Sequence, residues 1–267
     1  MNPAIMMVIE NSSSVRRGDG SVTYPMEKEA ILASKMWRLF GGKYKDIPMY
    51  CICPSKKIPS KDTISKLENF GVEYIENYQE VTEEFTNGFW NKPLGCMLLE
   101  QYIKEDQLIY MDLDLYLLKE PPDSFFICPD EYIAKIPIYP DWTEEELENR
   151  YKLNLHIDFQ GNTICSNKES GFYNFWWNKT LEFSKKFPKD KWWEMEEEVL
   201  GDLYRNNRKI KLLPVTHLQI DDDFDRTFLK ENKNRFFFLH RHLIKENKIV
   251  IDTLTNMAVR NYIKGVI

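Results

Sequence analysis

The sequence predicts an α/β fold in which a mostly parallel central sheet is covered by helices. Residues 1–118 alternate strand-like and helix-like segments, which is the pattern of βαβ units. The first of these segments, Ala4 to Ile9, is apolar at every position. A continuous apolar run of strand length is typical of a strand that is buried on both faces of a parallel sheet.

The other elements of this half follow from the spacing of their apolar residues. Helices are predicted where apolar residues recur three and four positions apart. These segments are 26–40, 60–70 and 92–104. Strands are predicted where short apolar segments lie between turn residues. These segments are 47–53, 72–75 and 107–118. The polar segment 10–23 is expected to form a loop.

The second half of the chain, 119–267, is less regular. Strands are predicted at 158–166, 210–215 and 235–239, and helices at 171–186 and 194–206. No internal repeat, low-complexity tract or linker separates the two halves. We therefore expect a single domain over residues 1–267.

Charge and composition exclude several kinds of partner. The net charge is −6 and no basic patch is evident, so we expect no nucleic-acid partner. No segment approaches 18 apolar residues, and the N-terminal apolar run is too short for a signal peptide. The five scattered cysteines are typical of reduced core thiols. The sequence therefore predicts a soluble, cytoplasmic protein without a membrane span.

Two carboxylates, Asp112 and Asp114, interrupt the apolar segment 107–118. In one continuous strand, residues two apart point to the same face, so these side chains would project together. They repel each other unless a cation lies between them, and hard oxygen ligands suit Mg²⁺ or Mn²⁺. Two solvated aspartates at a strand end are the alternative. Because ligands of α/β sheets bind at the carboxyl ends of strands, we favour a metal site.

A histidine near the end of the chain could complete such a site. His240 follows an apolar run, and a neutral imidazole at a strand end can bind Mn²⁺. A hydrogen-bonded histidine at a sheet edge is the alternative interpretation. His242 would lie on the same strand face and is the second candidate.

A cluster of glutamates opens the helix predicted at 194–206. Acidic residues in a first helical turn interact favourably with the helix dipole, which is a sufficient explanation for any of them. The functional hypothesis is that one of them lies at the substrate and acts as nucleophile, base or cation stabiliser. Glu197 is the first candidate for this role and Glu196 the second.

The order of these features resembles that of glycogenin-like glycosyltransferases of the GT-A type. Lys92-Pro93-Leu94, a helix and the sequence Leu108 to Asp114 resemble the lysine, helix and "DxD" region of that family. Other matched segments follow in the same order over about residues 4–242. These are Tyr24, similar to a tyrosine that stacks on uracil, Phe159 to Thr163, similar to the "FNSG" strand, Glu196 to Leu200, similar to an acidic helix start, and Phe236 to His240, similar to the strand with the metal-binding histidine.

The resemblance implies a fold, a reaction and a set of site residues. It implies a GT-A fold with a nucleotide-binding half, 1–118, and an acceptor-side half, 119–267. The expected enzyme transfers a hexose from a nucleotide-sugar, a UDP-sugar in the first place, to a glycan, protein or small-molecule acceptor, with Mn²⁺ or Mg²⁺. The implied residues are Ile9, Asn11, Tyr24, Lys92, Asp112 and Asn162 for the donor, Asp112, Asp114 and His240 for the metal, and Glu197 and Glu196 for catalysis.

The sequence departs from the family in two places. Segment 10–23 is longer than the first turn of the family, and the threonine and aspartate expected there are replaced around Ile9 to Asn11. No "KPW" follows His240, so the diphosphate contact falls to Arg16, Arg17, Arg241 or Lys245. A sugar-nucleotide pyrophosphorylase is the alternative enzyme, although the glycine-rich loop of that class is lacking. An inactive protein that binds nucleotide-sugars or glycans is the non-enzymatic alternative.

Overall fold

The fold comes from a computed structural model, which describes most of the chain between residues 2 and 240. The described residues are 2–11, 13–17, 20–24, 26–76, 88–117, 119–137, 143–155, 157, 159–186, 195–207, 209–213, 217–219 and 238–240. Of these, the side chains of 13–17, 20–24, 88–89, 196–197, 217–219 and 238–240 lie outside the description.

The described residues contain twelve strands and six α-helices. The strands are β1 (Pro3–Val8), β2 (Ser13–Arg17), β3 (Gly20–Tyr24), β4 (Met49–Ile52), β5 (Val72–Ile75), β6 (Gln107–Met111), β7 (Leu115–Leu117), β8 (Ala134–Pro137), β9 (Thr163–Asn167), β10 (Ile210–Leu213), β11 (His217–Gln219) and β12 (Phe238–His240). The helices are α1 (Met26–Phe40), α2 (Lys61–Asn69), α3 (Gly88–Tyr102), α4 (Glu144–Lys152), α5 (Phe172–Ser184) and α6 (Met195–Asn207).

A seven-stranded sheet forms the centre of the fold, in the order β10-β8-β9-β6-β1-β4-β5. The four strands β6, β1, β4 and β5 are parallel neighbours, and β10 is parallel to β8. Strand β9 runs antiparallel to both of its neighbours, β6 and β8. The sheet is therefore mostly parallel, as the sequence predicted, and it takes strands from both halves of the chain.

Strand β1 shows why this sheet is covered on both faces. Its residues alternate between two core clusters, because neighbouring side chains of a strand point to opposite faces. Ile5 and Met7 pack with Ala30 and Trp37 of α1 on one face. On the other face Ala4, Met6 and Val8 pack with residues of α3, α5 and α6, among them Leu94, Trp176 and Leu200.

Two elements in the N-terminal half of the chain differ from their predictions. The expected loop 10–23 contains the antiparallel hairpin β2–β3, with Arg17 paired to Gly20. The two residues between them in the sequence are Gly18-Asp19, a dipeptide typical of two-residue hairpin connections. Helix α3 begins at Gly88, one turn before the predicted start at residue 92, and contains Pro93 in its interior. The buried ring of Trp90 and the hydrogen bond from Asn91 to Glu10 anchor this additional turn.

The predicted strand 107–118 is wrong as a single element. It divides into β6 and β7, which belong to different sheets, and residues 112–114 form the turn between them. The apolar pattern continues across the break because β6 and β7 are both fully buried. Strand β8 and helix α4 were not predicted from the sequence.

The second sheet is small and lies beyond this turn. It has the order β11-β12-β7, in which β12 is antiparallel to β7 and parallel to β11.

The five cysteines are buried free thiols. None of the helices in the described ranges has the length and hydropathy that a membrane span requires.

Candidate functional site

The candidate site lies where the parallel strands β1 and β6 end side by side. The chain continues from β1 into Ile9-Glu10-Asn11 and from β6 into Asp112-Leu113-Asp114. The carboxyl ends of parallel strands are the usual ligand-binding edge of an α/β sheet. Both continuations carry acidic side chains, Glu10 after β1 and Asp112 and Asp114 after β6.

A tight turn holds the backbone of Asp112. Its N–H donates to the carbonyl oxygen of Asn162 at 2.8 Å, which ties it to the start of β9. Its own carbonyl accepts from the N–H of Leu115 at 3.2 Å, which closes the turn into β7. The acidic pair is therefore carried by a turn and not by strand alternation, which corrects the geometric argument from the sequence.

The carboxylate of Asp112 is engaged by two side chains. The Tyr110 hydroxyl donates to Oδ1 at 2.5 Å. The Lys92 ammonium lies 3.1 Å from Oδ1 and 3.2 Å from Oδ2, so it spans both oxygens, and it also lies 5.8 Å from the centre of the Tyr110 ring. The side chains of Lys92 and Asp112 are 21% and 19% exposed. The pair is thus shielded, yet accessible to a ligand.

Close packing of α3 against β1 positions Lys92. A Cβ atom at Gly95 would lie only 2.6 Å from Cγ2 of Val8, so a larger residue there would force the helix away from the strand. One residue before Lys92, the Asn91 amide donates to the Glu10 carboxylate at 2.5 Å. These two contacts fix the start of α3 over the edge of the sheet.

Glu10 forms a separate buried cluster at the end of β1. Its side chain is 1% exposed, and Oε1 accepts from Ser55 Oγ and from the Asn91 amide, each at 2.5 Å. The backbone N–H of Lys57 in turn donates to Ser55 Oγ at 3.1 Å. Burial raises the pKa of the Glu10 carboxyl, although the Ser55 hydrogen bond and the charge of Lys57 act in the opposite direction.

The residues at this edge fit a hard divalent cation in their donor chemistry. Asp112 is partly exposed and Asp114 is buried, with 8% exposure, and both supply carboxylate oxygens. Within the described part of the chain no group of three His, Cys, Asp or Glu side chains could hold a metal. The backbone of His240 lies opposite Leu115, directly after Asp114, and the His240 side chain lies outside the description. Its role as third ligand stays a prediction.

Three other residues predicted for the donor, Ile9, Asn11 and Asn162, adjoin the same edge. The Asn162 side chain is 4% exposed and donates to Gln160. The Ile9 side chain belongs to the core, so its backbone is the part that could face a ligand. Asn11 is exposed, and its N–H donates to the Lys57 carbonyl at 2.8 Å. The backbone of Tyr24 ends β3, two residues before α1, while its side chain lies outside the described residues.

The predicted catalytic glutamates lie in the first turn of α6. This helix packs on α5 and buries Met195 and Val199 on the same sheet face as α3. The side chains of Glu196 and Glu197 lie outside the described residues, and their role stays a prediction. Among the candidates for the diphosphate contact, Arg241 and Lys245 also lie outside the description, as do His242 and the side chains of Arg16 and Arg17.

Sequence reasoning missed two contacts of this site. It assigned Lys92 to the donor alone, whereas the structure pairs it with Asp112. No local signal joins residues 20 positions apart on a helix and a turn. It also missed Tyr110, which lies two residues before Asp112 and donates to its carboxylate.

Comparison with known proteins identifies the fold. No protein-family model and no curated protein matches the sequence. Glycosyltransferase GlyE of Streptococcus pneumoniae TIGR4, in its apo form, is similar in structure, with a TM-score of 0.57 at 13% identity. That match covers 90% of this chain and 54% of GlyE, so the chain spans about half the length of that protein.

Two further solved structures match over nearly their whole length. Galactosyltransferase LgtC, solved with donor and acceptor sugar analogs, has a TM-score of 0.57 at 10% identity, and the match covers 96% of this chain and 95% of LgtC. Mouse xyloside xylosyltransferase 1 has a TM-score of 0.51 at 10% identity, with 90% and 97% covered. At such identities the likeness concerns the fold, and the fold of this chain is that of GT-A-type glycosyltransferases, as expected.

Proposed function

We propose that this protein is a divalent-cation-dependent glycosyltransferase that transfers a hexose from a nucleotide-sugar to an acceptor. A UDP-sugar is the proposed donor, and Mn²⁺ or Mg²⁺ the proposed cation. The observation that carries the proposal is the site at the ends of β1 and β6 in a glycosyltransferase fold. There a partly exposed carboxylate, Asp112, and a cationic side chain, Lys92, lie together at the ligand-binding edge of the sheet.

Each part of this site has a proposed task. Asp112 and Asp114, with His240, would hold the cation, which when bound would neutralise charge on the leaving diphosphate. Lys92 would bind the diphosphate or the sugar beside it, and Tyr24 would stack on the base. The residues after β1 and before β9, Ile9, Asn11 and Asn162, would shape the rest of the donor pocket.

Glu197, with Glu196 as second candidate, is proposed to act on the sugar. A carboxylate beside the anomeric carbon can attack it, remove the acceptor proton or stabilise the developing positive charge. The glycan, protein or small-molecule acceptor is not assigned by this proposal, and neither is the stereochemical course.

The test begins with a panel of UDP-, GDP-, CMP- and dTDP-sugars with and without Mn²⁺. Binding to the native state raises its melting temperature, so the preferred donor should give the largest rise and only in the presence of Mn²⁺. Release of the free nucleotide from that donor is then followed over time. A transferase leaks sugar to water, whereas a protein that only binds the donor does not.

The matched pair Glu197→Gln and Glu198→Gln tests the chemistry. Glu197→Gln should leave donor affinity within about threefold and lower turnover roughly 100-fold or more, as expected when a positioned catalytic group is lost. Glu198→Gln shares the contribution to the helix dipole and should retain turnover. Donor hydrolysis equal to that of the wild type in Glu197→Gln would remove Glu197 from the mechanism, and Glu196→Gln would be measured next.

A further inference from the structure

The Lys92 ammonium occupies the direction from which a cation would approach Asp112. It lies 3.1 Å from one carboxylate oxygen and 3.2 Å from the other, which places it between the two. A cation that binds both oxygens of a carboxylate has to take the same position. The Tyr110 hydroxyl donates to Oδ1 and helps to hold the carboxylate in this orientation.

An ammonium and a divalent cation cannot share this place. Both are positive, the ammonium lies about 3 Å from the two oxygens, and a bound Mn²⁺ or Mg²⁺ would lie about 2 Å from them. Like charges that close repel strongly in a shielded site. The Lys92 and Asp112 side chains are each only about a fifth exposed, so water screens the repulsion weakly. The ammonium must therefore leave Asp112 before a cation can bind there.

We infer that Lys92 is a built-in competitor of the divalent cation, and that the donor releases it. This inference rests on the proposed function. In the free protein Lys92 neutralises Asp112 and weakens cation binding. When the donor arrives, its diphosphate offers a stronger partner for the ammonium, and Lys92 turns from the carboxylate to the phosphates. Asp112 is then available, so cation and donor strengthen each other's binding through one side chain.

The geometry of α3 makes such a switch possible without movement of the helix. Gly95 keeps the helix against Val8 of β1, and Asn91 holds its start to Glu10. The ammonium stands at the end of a flexible four-carbon chain, so it can move between two anions while its Cα stays in place. The Tyr110 ring beneath the ammonium offers a cationic side chain a favourable surface along this path.

The test measures Mn²⁺ affinity in the absence of any donor, by electron paramagnetic resonance of free Mn²⁺. Lys92→Met removes the charge and keeps the length of the side chain. It should tighten Mn²⁺ binding about tenfold and weaken UDP binding, since coupling between two sites usually amounts to 5–150-fold. The factor by which saturating UDP tightens Mn²⁺ binding should fall correspondingly. Lys92→Gln repeats the removal of the charge should Lys92→Met fail to fold.

Two control variants separate competition from other causes. Lys92→Arg retains the charge and should bind Mn²⁺ as the wild type does. Lys66→Met removes an equal charge from an exposed pair with Asp62 on α2 and should leave Mn²⁺ affinity unchanged. Tightening in either control as large as in Lys92→Met would overturn the inference, because charge at residue 92 would then not be the cause.

Two further outcomes distinguish failure of the competition from failure of the proposed function. Unchanged or weaker Mn²⁺ binding in Lys92→Met, with normal UDP-dependent Mn²⁺ binding in the wild type, would overturn the competition and leave the proposed function standing. If the wild type binds no Mn²⁺ even with saturating UDP, both the proposed cation dependence and the inference fail.

Discussion

Glu10 and Asp112 stand at the carboxyl ends of two neighbouring parallel strands, and the protein compensates their charges in different ways. Glu10 is 1% exposed and receives hydrogen bonds from the neutral donors Ser55 and Asn91. Asp112 is 19% exposed and is paired with the cationic side chain Lys92. Burial raises the pKa of the Glu10 carboxyl, so its environment favours the neutral acid.

We interpret this difference as one between a carboxyl group that stabilises the fold, Glu10, and one that is proposed to bind a ligand, Asp112. A buried acid that is held by neutral donors joins three chain segments and has no surface to offer a ligand. A partly exposed carboxylate that is paired with a long lysine side chain is accessible to a ligand. The comparison therefore predicts a stabilising role for Glu10 at the end of β1 and a ligand-binding role for Asp112 at the end of β6. This interpretation can be tested by replacing each acid with its amide.

The largest expected effect is that of Asp112→Asn on donor binding. Removal of a charged metal ligand should lower the Mn²⁺-dependent affinity for UDP by about 100-fold or more, since loss of a mere outer partner of a metal ligand costs 10–100-fold. Calorimetric titration with UDP in the presence of Mn²⁺ gives the value. Glu10→Gln should stay within about twofold of the wild type, as expected for a site outside the contact surface.

Either of two results would contradict these separate roles of Glu10 and Asp112. UDP affinity that survives Asp112→Asn, or that is equally high with EDTA, would remove the cation from the end of β6. A loss in Glu10→Gln as large as that in Asp112→Asn would mean that Glu10 contributes to the binding surface as well.

A smaller effect is expected from Tyr110→Phe. The change removes the hydroxyl that donates to Asp112 Oδ1 and keeps the buried ring. A hydrogen bond to a charged group contributes about 1.5 kcal/mol or somewhat more, so Mn²⁺-dependent UDP affinity should fall roughly tenfold.

Tyr50→Phe is the matched control for that measurement. Its hydroxyl lies 3.2 Å and 3.3 Å from the two Glu105 carboxylate oxygens, away from Asp112, and its loss should not change UDP affinity. An unchanged affinity in Tyr110→Phe would show that the turn alone orients the Asp112 carboxylate.

Much of the fold could be predicted because packing repeats along the chain. Helix α1 has the predicted bounds, since its apolar stripe and the following Gly41 are both local signals. The division of segment 107–118 could not be predicted in this way. Strands β6 and β7 are buried in different sheets, and an apolar pattern reports burial without reporting which sheet provides it. The hairpin β2–β3 was missed because its residues are mostly polar, although Gly18-Asp19 indicated a turn.

Residues of the candidate site could be predicted where they are neighbours in the sequence. Contacts that join distant segments of the chain were missed. Asp112 and Asp114 are neighbours in sequence, and their position after an apolar strand pointed to the binding edge. The partners of Glu10 come from segments 45 and 81 residues away, and Lys92 from 20 residues before Asp112. Such contacts depend on how helices pack on the sheet. Gly95, which sets that packing for α3, has no signature of its own in the sequence.

The smallest expected effect is the pH dependence of Glu10→Gln. The folded protein holds the Glu10 pKa above its ordinary value because burial disfavours the charged form. The full stability of the cluster is therefore present below the unfolded pKa of about 4.3 and is lost as the pH rises through the folded pKa. The glutamine side chain of the variant would remain neutral throughout and can accept the same two hydrogen bonds through its carbonyl oxygen.

Thermal melting of wild type and Glu10→Gln between pH 4 and pH 8 measures this effect. The two should agree at pH 4, where Glu10 is neutral, which provides the internal control. Towards pH 8 the variant should become the more stable by about 2–4 °C, the shift that roughly 1 kcal/mol gives a protein of this size. A constant difference between the two proteins over the whole range would mean that burial does not raise the Glu10 pKa. The two strand ends would then differ in exposure and hydrogen-bond partners alone.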